Sequence, residues 1–354
     1  MFNVAVVGCG AIAIHKFFPA LQRLRSRVRL VGVCDLNENV VNQVAKEMSI
    51  PNAYTDVSNL LAEQHPDIVI VLTPPKAHTD VAIAALASGA HVLVEKPMAA
   101  NVADCDKMND AARQNNRKLG VMHSQLFHPP MDQVRKEVKE GRYGRFLGMR
   151  IFLAVGNYDW IIEPDHWAHK LRGGVVGEAG PHATYLSLAF LENVRDVQVR
   201  MVKHYPDYTW LISDDVRFDL IADNGISSVV LDFGSNQTTA EVDIICSKQL
   251  LRVDLQSRTV VKHNRPVSDL SATGLGKSVL GTAFQQVSGL TSNMIKYYSS
   301  RKLDGHYMGI VRFLDYVNGQ SDFPATGEEG RRTIAVLDQV VEQLEDLRTR
   351  QSVF

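Results

Sequence analysis

Short, largely apolar runs alternate with segments of helical spacing through the first 122 residues, and this confines the fold more than any other feature of the chain. The runs are Val4-Ala5-Val6-Val7, Leu30-Val31-Gly32-Val33-Cys34, Asp67-Ile68-Val69-Ile70-Val71-Leu72, His91-Val92-Leu93-Val94 and Lys118-Leu119-Gly120-Val121-Met122. Helical patterns run from the first glycines to about Leu24, then over 40–48, 77–87 and 103–115. A strand with no polar alternation has both faces buried, so the pattern predicts a parallel sheet covered by helices on both sides.

Beyond residue 123 the pattern changes. A strand over 149–155 is followed by a loop rich in Trp, Asp and His, and then by a helix from about Pro181 to Leu191. Six strand-like runs follow closely, over 196–204, 215–223, 226–233, 239–246, 249–255 and 258–262. Asp223-Asn224-Gly225 between two of them is a hairpin signal, so this region reads as α+β with a mostly antiparallel sheet. The Ser- and Gly-rich stretch 264–303 has no clear assignment. Thr326-Gly327-Glu328-Glu329 is a capping box that opens a last amphipathic helix. The predicted division is 1–122 for a dinucleotide-binding α/β domain and 123–354 for an α+β domain, with the C-terminal helices free to pack back on the first.

The first turn reads Gly8-Cys9-Gly10-Ala11-Ile12-Ala13, a G-x-G-x-x-A between strand and helix. Gly8 suits the tight turn, Gly10 allows close approach of a pyrophosphate, and Ala13 lets helix and strand pack. Free N–H groups at the helix start would meet the phosphates. Asp35 ends the next strand, where a carboxylate accepts ribose hydroxyls and repels a 2′-phosphate, which favours NAD over NADP. Thr73, Pro74 and His78 follow a strand end on the same side, where a loop would pass near the nicotinamide ribose.

Glu95-Lys96-Pro97 ends the strand 91–94. In isolation it is an ordinary surface pair. At the carboxyl end of a buried parallel strand it lies where open α/β sheets bind ligands, and partial burial would let the lysine exchange protons. Lys96-Pro97 is an expected cis peptide.

Gly173-Gly174-Val175-Val176-Gly177-Glu178-Ala179-Gly180-Pro181-His182 offers an acid–imidazole pair. Glu178 and His182 share a helical face if the helix begins by Glu178; if it begins at Pro181, where proline is tolerated, Glu178 reaches His182 from the loop. In either case the carboxylate would set the tautomer and basicity of the ring. Tyr158, Trp160 and Trp167 read equally as a wall against a sugar face or as core. Asp165-His166-Trp167-Ala168-His169 lacks a metal-ligand spacing, and no metal is expected. Lys170, Arg172 and Lys203 could meet a phosphate or carboxylate but read first as surface charges.

Composition narrows the partners. With 38 Lys+Arg, 39 Asp+Glu and a formal net charge of −1, no global field attracts nucleic acid or an anionic membrane. No apolar run is long enough to span a bilayer, and no secretory leader is read at the N-terminus. Cys9, Cys34, Cys105 and Cys246 form no C-x-x-C pair, which suits a reducing cytoplasm.

Taken together, the G-x-G-x-x-A turn, Glu95-Lys96-Pro97, the glycine-rich segment ending in His182 and the Thr326–Gly330 stretch resemble the glucose–fructose oxidoreductase / inositol dehydrogenase / rhizopine-catabolism family over nearly the whole chain. The resemblance implies a Rossmann domain, a second domain with an open-faced sheet, a bound nicotinamide cofactor, and a homodimer or homotetramer built on that sheet. It implies that Lys96 and His182 are the catalytic pair. It makes the cofactor-site residues Gly8, Cys9, Gly10, Ala11, Ile12, Asp35, Thr73, Pro74, His78, Glu95 and Lys96. The implied activity is hydride transfer between NAD(P) and a secondary alcohol or ketone of a sugar, cyclitol or sugar derivative. An NAD-dependent glycosidase and a non-catalytic sugar-responsive regulator share the fold. Two departures stand out: Glu178 falls where many members carry Asp, and Leu126-Phe127-His128-Pro129 replaces an Arg-Phe-x-Pro pattern.

Overall fold

A computed structural model describes residues 1–156, 158–263, 271–300 and 304–351. The chain forms two compact units, Met1–Ser124 with Asp304–Ala335, and Gln125–Leu303 with Val336–Phe354.

In the first unit β1 (Phe2–Val7) leads through the glycine turn into a π-helical turn (Ala13–Phe17) and α1 (Phe18–Arg23). There follow β2 (Val28–Cys34), α2 (Glu38–Met48), β3 (Ala53–Tyr54), α3 (Val57–Gln64), β4 (Ile68–Val71), α4 (Pro75–Ala87), β5 (His91–Glu95), α5 (Val102–Gln114) and β6 (Leu119–Met122). All five pairings are parallel, in the order β3-β2-β1-β4-β5-β6. The strand order reverses between β1 and β4, and that crevice is the ligand site of a doubly wound sheet. Val4 to Val7, Ile68 to Val71 and Val92 to Val94 are all buried, as the unbroken apolar runs require. The two-residue β3 was not legible, because so short a strand has no period to read. The expected continuous helix to Leu24 is instead a π-turn followed by a short α-helix.

The second unit contains α6 (Pro129–Lys139), β7 (Phe146–Val155), α7 (Asp159–Ile162), α8 (Val175–Leu188), β8 (Val194–Val202), β9 (Asp215–Ala222), β10 (Gly225–Asp232), β11 (Thr238–Cys246), β12 (Leu250–Asp254), β13 (Thr259–His263) and α9 (Ala272–Ser300). The strands form one seven-stranded sheet, β13-β12-β11-β7-β10-β9-β8. Every pairing is antiparallel except β7 with β10. Met149, Ile151 and Leu153 of β7, Val229 and Leu231 of β10, and Val242 and Ile244 of β11 face a core shared with α8. Arg150, Asp243 and Arg252 join on the opposite face, where Arg150 Nη2 lies 2.5 Å and Arg252 Nε 2.7 Å from the Asp243 carboxylate. The stretch without an assignment, 264–303, holds α9; residues 264–270 and 301–303 lie outside the described residues.

The chain then returns to the first unit with α10 (Gly305–Val317) and ends in α11 (Gly327–Gln351), whose residues to Ala335 belong to the first unit and whose remainder belongs to the second. The Thr326 hydroxyl accepts from Glu329 N at 3.4 Å, as the capping box predicts.

Candidate active site

The carboxyl ends of β1, β2, β4 and β5 bring the expected dinucleotide residues to one edge of the first sheet. Gly8 follows β1 with φ +100°, and a Cβ there would come within 2.6 Å of the Leu72 backbone; only glycine fits. Gly10 meets no protein atom within 4 Å of a built Cβ, so open space lies over this turn, and any demand for glycine comes from a ligand. Asp35 carries two backbone bonds: Oδ2 accepts from Cys9 N at 2.8 Å and Oδ1 from Asn37 N at 2.9 Å. Its carboxylate therefore ties the glycine turn to the end of β2. Thr73 Oγ1 is buried and makes no hydrogen bond within the protein. An open turn over Gly10, a carboxylate at β2 and an unpaired buried hydroxyl at β4 fit a dinucleotide.

Two of the expected cofactor residues are buried in the protein. Cys9 is buried, its amide is spent on Asp35, and burial followed by the charge of Asp35 pushes its thiol up to about 12; it supports the turn from within. His78 is 1% exposed. Its Nδ1 lies 3.0 Å from Pro97 O and its Nε2 2.7 Å from Thr73 O, so the ring braces the loop after β4 against the turn after β5. Burial holds its pKa below the ordinary value, against the pull of these carbonyls.

Lys96 is half-buried at the end of β5, and the Lys96–Pro97 bond is cis, as expected. Glu95 is buried; its Oε2 accepts from Lys96 N at 2.6 Å. Its Oε1 lies 3.4 Å from Nε2 of His306, a residue the sequence did not single out. His306 Nδ1 is 3.4 Å from Asp304, which in turn meets Lys16 at 3.5 Å. Burial opposes a charge on His306, but Asp304 and Glu95 outweigh it and raise its pKa. Asp304 is held well below the carboxylate range despite burial, by His306 and then Lys16. His123, which follows β6, was also missed; complete burial pushes its pKa down to about 3, which keeps it neutral.

In the second unit Glu178 and His182 both line a cavity of about 350 Å³, together with Tyr158, Trp160, Gln125 and His128. α8 begins at Val175, six residues before Pro181, so the reading in which Glu178 and His182 share a helical face holds. Pro181 is thus inside a helix, contrary to its expected place in the first turn. It costs the bond that residue 181 would give to Gly177 O, and a helix buried along most of its residues recovers that cost by packing. His182 Nδ1 lies 2.7 Å from Tyr185 Oη, and Gln125 N donates to the same oxygen at 3.2 Å.

Tyr158 and Trp160 stack at 6.3 Å and wall the cavity, while Trp167 is exposed beside His166. Gln125 Oε1 is buried without a partner at the same cavity. Leu126 enters the core in place of the arginine of the family pattern. Arg172 pairs with Asp338 and Glu342, and Lys203 donates to Leu211 O; Lys170 is exposed. Among the described residues no group of His, Cys, Asp and Glu has the arrangement of a metal site.

Comparison with known proteins agrees with this geometry. Residues 2–123 match the model of an oxidoreductase family with an NAD-binding Rossmann fold. Over 183 residues the chain is 31% identical to the 1-carboxy-3-chloro-3,4-dihydroxycyclohexa-1,5-diene dehydrogenase of Comamonas testosteroni, covering 51% of this chain and 45% of that enzyme. It is 27% identical to the levoglucosan dehydrogenase of Pseudarthrobacter phenanthrenivorans, over 52% of this chain and 49% of that one. The matches thus span about half the length of these relatives. Among solved structures, the WlbA dehydrogenase of Bordetella pertussis, in complex with NADH and UDP-GlcNAcA, superposes with a TM-score of 0.76 at 18% identity, over 97% of this chain and 95% of that one; it is a likeness of fold. The match of residues 2–123 makes the Rossmann domain similar to that of the glucose–fructose oxidoreductase / inositol dehydrogenase / rhizopine-catabolism family of oxidoreductases.

Proposed function

We propose that this protein transfers a hydride between NAD and a secondary alcohol or ketone of a sugar, cyclitol or sugar derivative. The observation that carries this reading is the cavity of the second unit. It pairs an aromatic wall, Tyr158 and Trp160, with polar groups suited to hydroxyls, Gln125, Glu178 and His182. Sugars present this combination of apolar ring faces and hydroxyl edges. Levoglucosan dehydrogenase and other sugar-related dehydrogenases among the relatives support the same substrate class.

When bound, the nicotinamide accepts or supplies the hydride. The protein handles the proton. Lys96 and His182 are the two groups assigned to it. His182, with Tyr185 at its Nδ1, serves as the base. Lys96 stabilises negative charge developing on the substrate oxygen. Asp35 favours NAD over NADP, since its carboxylate opposes a 2′-phosphate. The open face of the second sheet, with Phe152, Ile226 and Ile245 partly exposed, serves a homodimer or homotetramer.

A panel of sugars, cyclitols and nucleotide sugars, assayed with NAD and NADP by NADH or NADPH absorbance, tests the reading. Turnover of at least one such substrate with NAD is expected. Lys96→Ala should lower kcat by roughly 10²–10⁴-fold, the usual worth of acid–base assistance, while NAD binding followed by fluorescence stays intact. Near-wild-type turnover in that variant would remove Lys96 from the mechanism. Product release without net NADH would instead indicate the transient oxidation of a glycosidase.

A further inference from the structure

Helix α9 is docked in the opposite sense to a core helix. Its polar face meets the sheet edge: Gln285 accepts from Lys262 N at 2.9 Å and donates to Lys262 O at 3.0 Å. Asn293 donates to Ser257 O at 3.0 Å and Arg258 O at 2.7 Å. Gly289, between them on the same face, lies against Thr259. The apolar residues are turned the other way. Leu280 is 71% exposed, Phe284 73%, Val287 65% and Ile295 65%. Gln285 and Asn293 satisfy backbone groups along β13 and the turn before it, so the helix is anchored with this apolar stripe outward. An exposed stripe of this extent marks an interaction surface.

The charge of the segment identifies what covers it. Residues 271–303 contain Lys277, Lys296, Arg301 and Lys302 and no Asp or Glu, in a chain whose acidic and basic residues otherwise balance. The whole-chain charge of −1, which argued against attraction to an anionic membrane, conceals this local excess. Two copies of the helix meeting face to face would bring like charges together, whereas an anionic lipid surface complements them. At ~1.5 Å per residue the helix is about 43 Å long, yet no helix among the described residues is apolar enough to cross a bilayer. An amphipathic helix of this kind lies in the plane of the membrane interface.

We propose that α9 seats this protein on an anionic lipid bilayer, with the stripe from Leu280 to Ile295 inserted at the headgroup–acyl boundary and the sheet behind it. The inference is independent of the oxidoreductase reading. It is tested by flotation of the full chain with vesicles of phosphatidylcholine alone and of phosphatidylcholine with phosphatidylglycerol. Flotation is expected with the anionic vesicles and should fall as salt rises. Lys277→Gln should weaken partitioning about fivefold, the worth of one cation near such a surface. Phe284→Ser with Val287→Ser should abolish flotation while leaving circular dichroism and NAD binding unchanged. Absence of flotation with anionic vesicles, or equal flotation with neutral ones, overturns the proposal. So does a dimer in light scattering that the serine variant converts to monomer without any vesicle binding, which would assign the face to a second copy of the chain.

Discussion

The Glu95 carboxylate is shared between the Lys96 amide on one oxygen and the His306 imidazole on the other. A lysine assigned to catalysis thus has its preceding residue held by a buried histidine, itself flanked by Asp304. The pH dependence of this cluster follows from its shifts. The pKa of His306 is raised above its unfolded value near ~6.5, so its contribution to stability is complete below that pH and is lost as pH rises through the folded value. The pKa of Asp304 is depressed, so its contribution is present above ~3.9 and lost as pH falls through the folded value. The cluster is strongest in the mildly acidic range between. His306→Gln should cost roughly 1.5–3 kcal/mol there, the worth of a hydrogen bond to a charged group, and less at alkaline pH. Urea denaturation at pH values on both sides of neutrality checks this; an equal loss at every pH would show that the imidazole carries no charge in the folded protein.

Helix α8 carries Glu178, His182 and Tyr185, and its register is what brings the first two into one cavity. Gly177 illustrates how closely it is packed: a Cβ there would approach Arg172 O to 2.5 Å. Tyr185 is buried, and its hydroxyl joins His182 to the Gln125 backbone. Tyr185→Phe removes that bond with little change of volume. It should cost about 1 kcal/mol in stability. In catalysis it should lower kcat by roughly tenfold or more, within the share that general acid–base assistance supplies, and move the pH profile assigned to His182. A changed KM with an unmoved pH profile would make Tyr185 a packing residue only. The helix also shows where sequence reasoning stops. A proline after a glycine-rich run reads as a helix start, because an isolated helix cannot absorb an interior proline. Here the surrounding core does, and the start moves back to Val175.

At the scale of the whole molecule, every residue assigned to the dinucleotide lies in the first unit, and that unit is assembled from two distant parts of the chain. NAD should therefore stabilise residues 1–124 and 304–335 together, by about 2.7 kcal/mol at a hundredfold excess over Kd. Hydrogen exchange read by mass spectrometry should show added protection in α10 as well as in the strands around the glycine turn; protection confined to residues 1–124 would separate α10 from the site. The parallel sheet, the glycine turn, Asp35, the strands of the second sheet and the Glu178–His182 pair were legible because each is written in local spacing: a run of apolar residues, a turn glycine, two side chains four apart. His306 against Glu95, Tyr185 on His182 Nδ1, the bracing role of His78 and the outward apolar face of α9 were not. The first joins segments far apart in sequence, and the others depend on burial and on which side-chain atoms meet, which are properties of packing rather than of local spacing. The amino-acid order by itself determined the two kinds of sheet and the residue types at their ends. Only the tertiary structure decided which side chain answers to which, because a contact across two hundred residues leaves no period in the sequence.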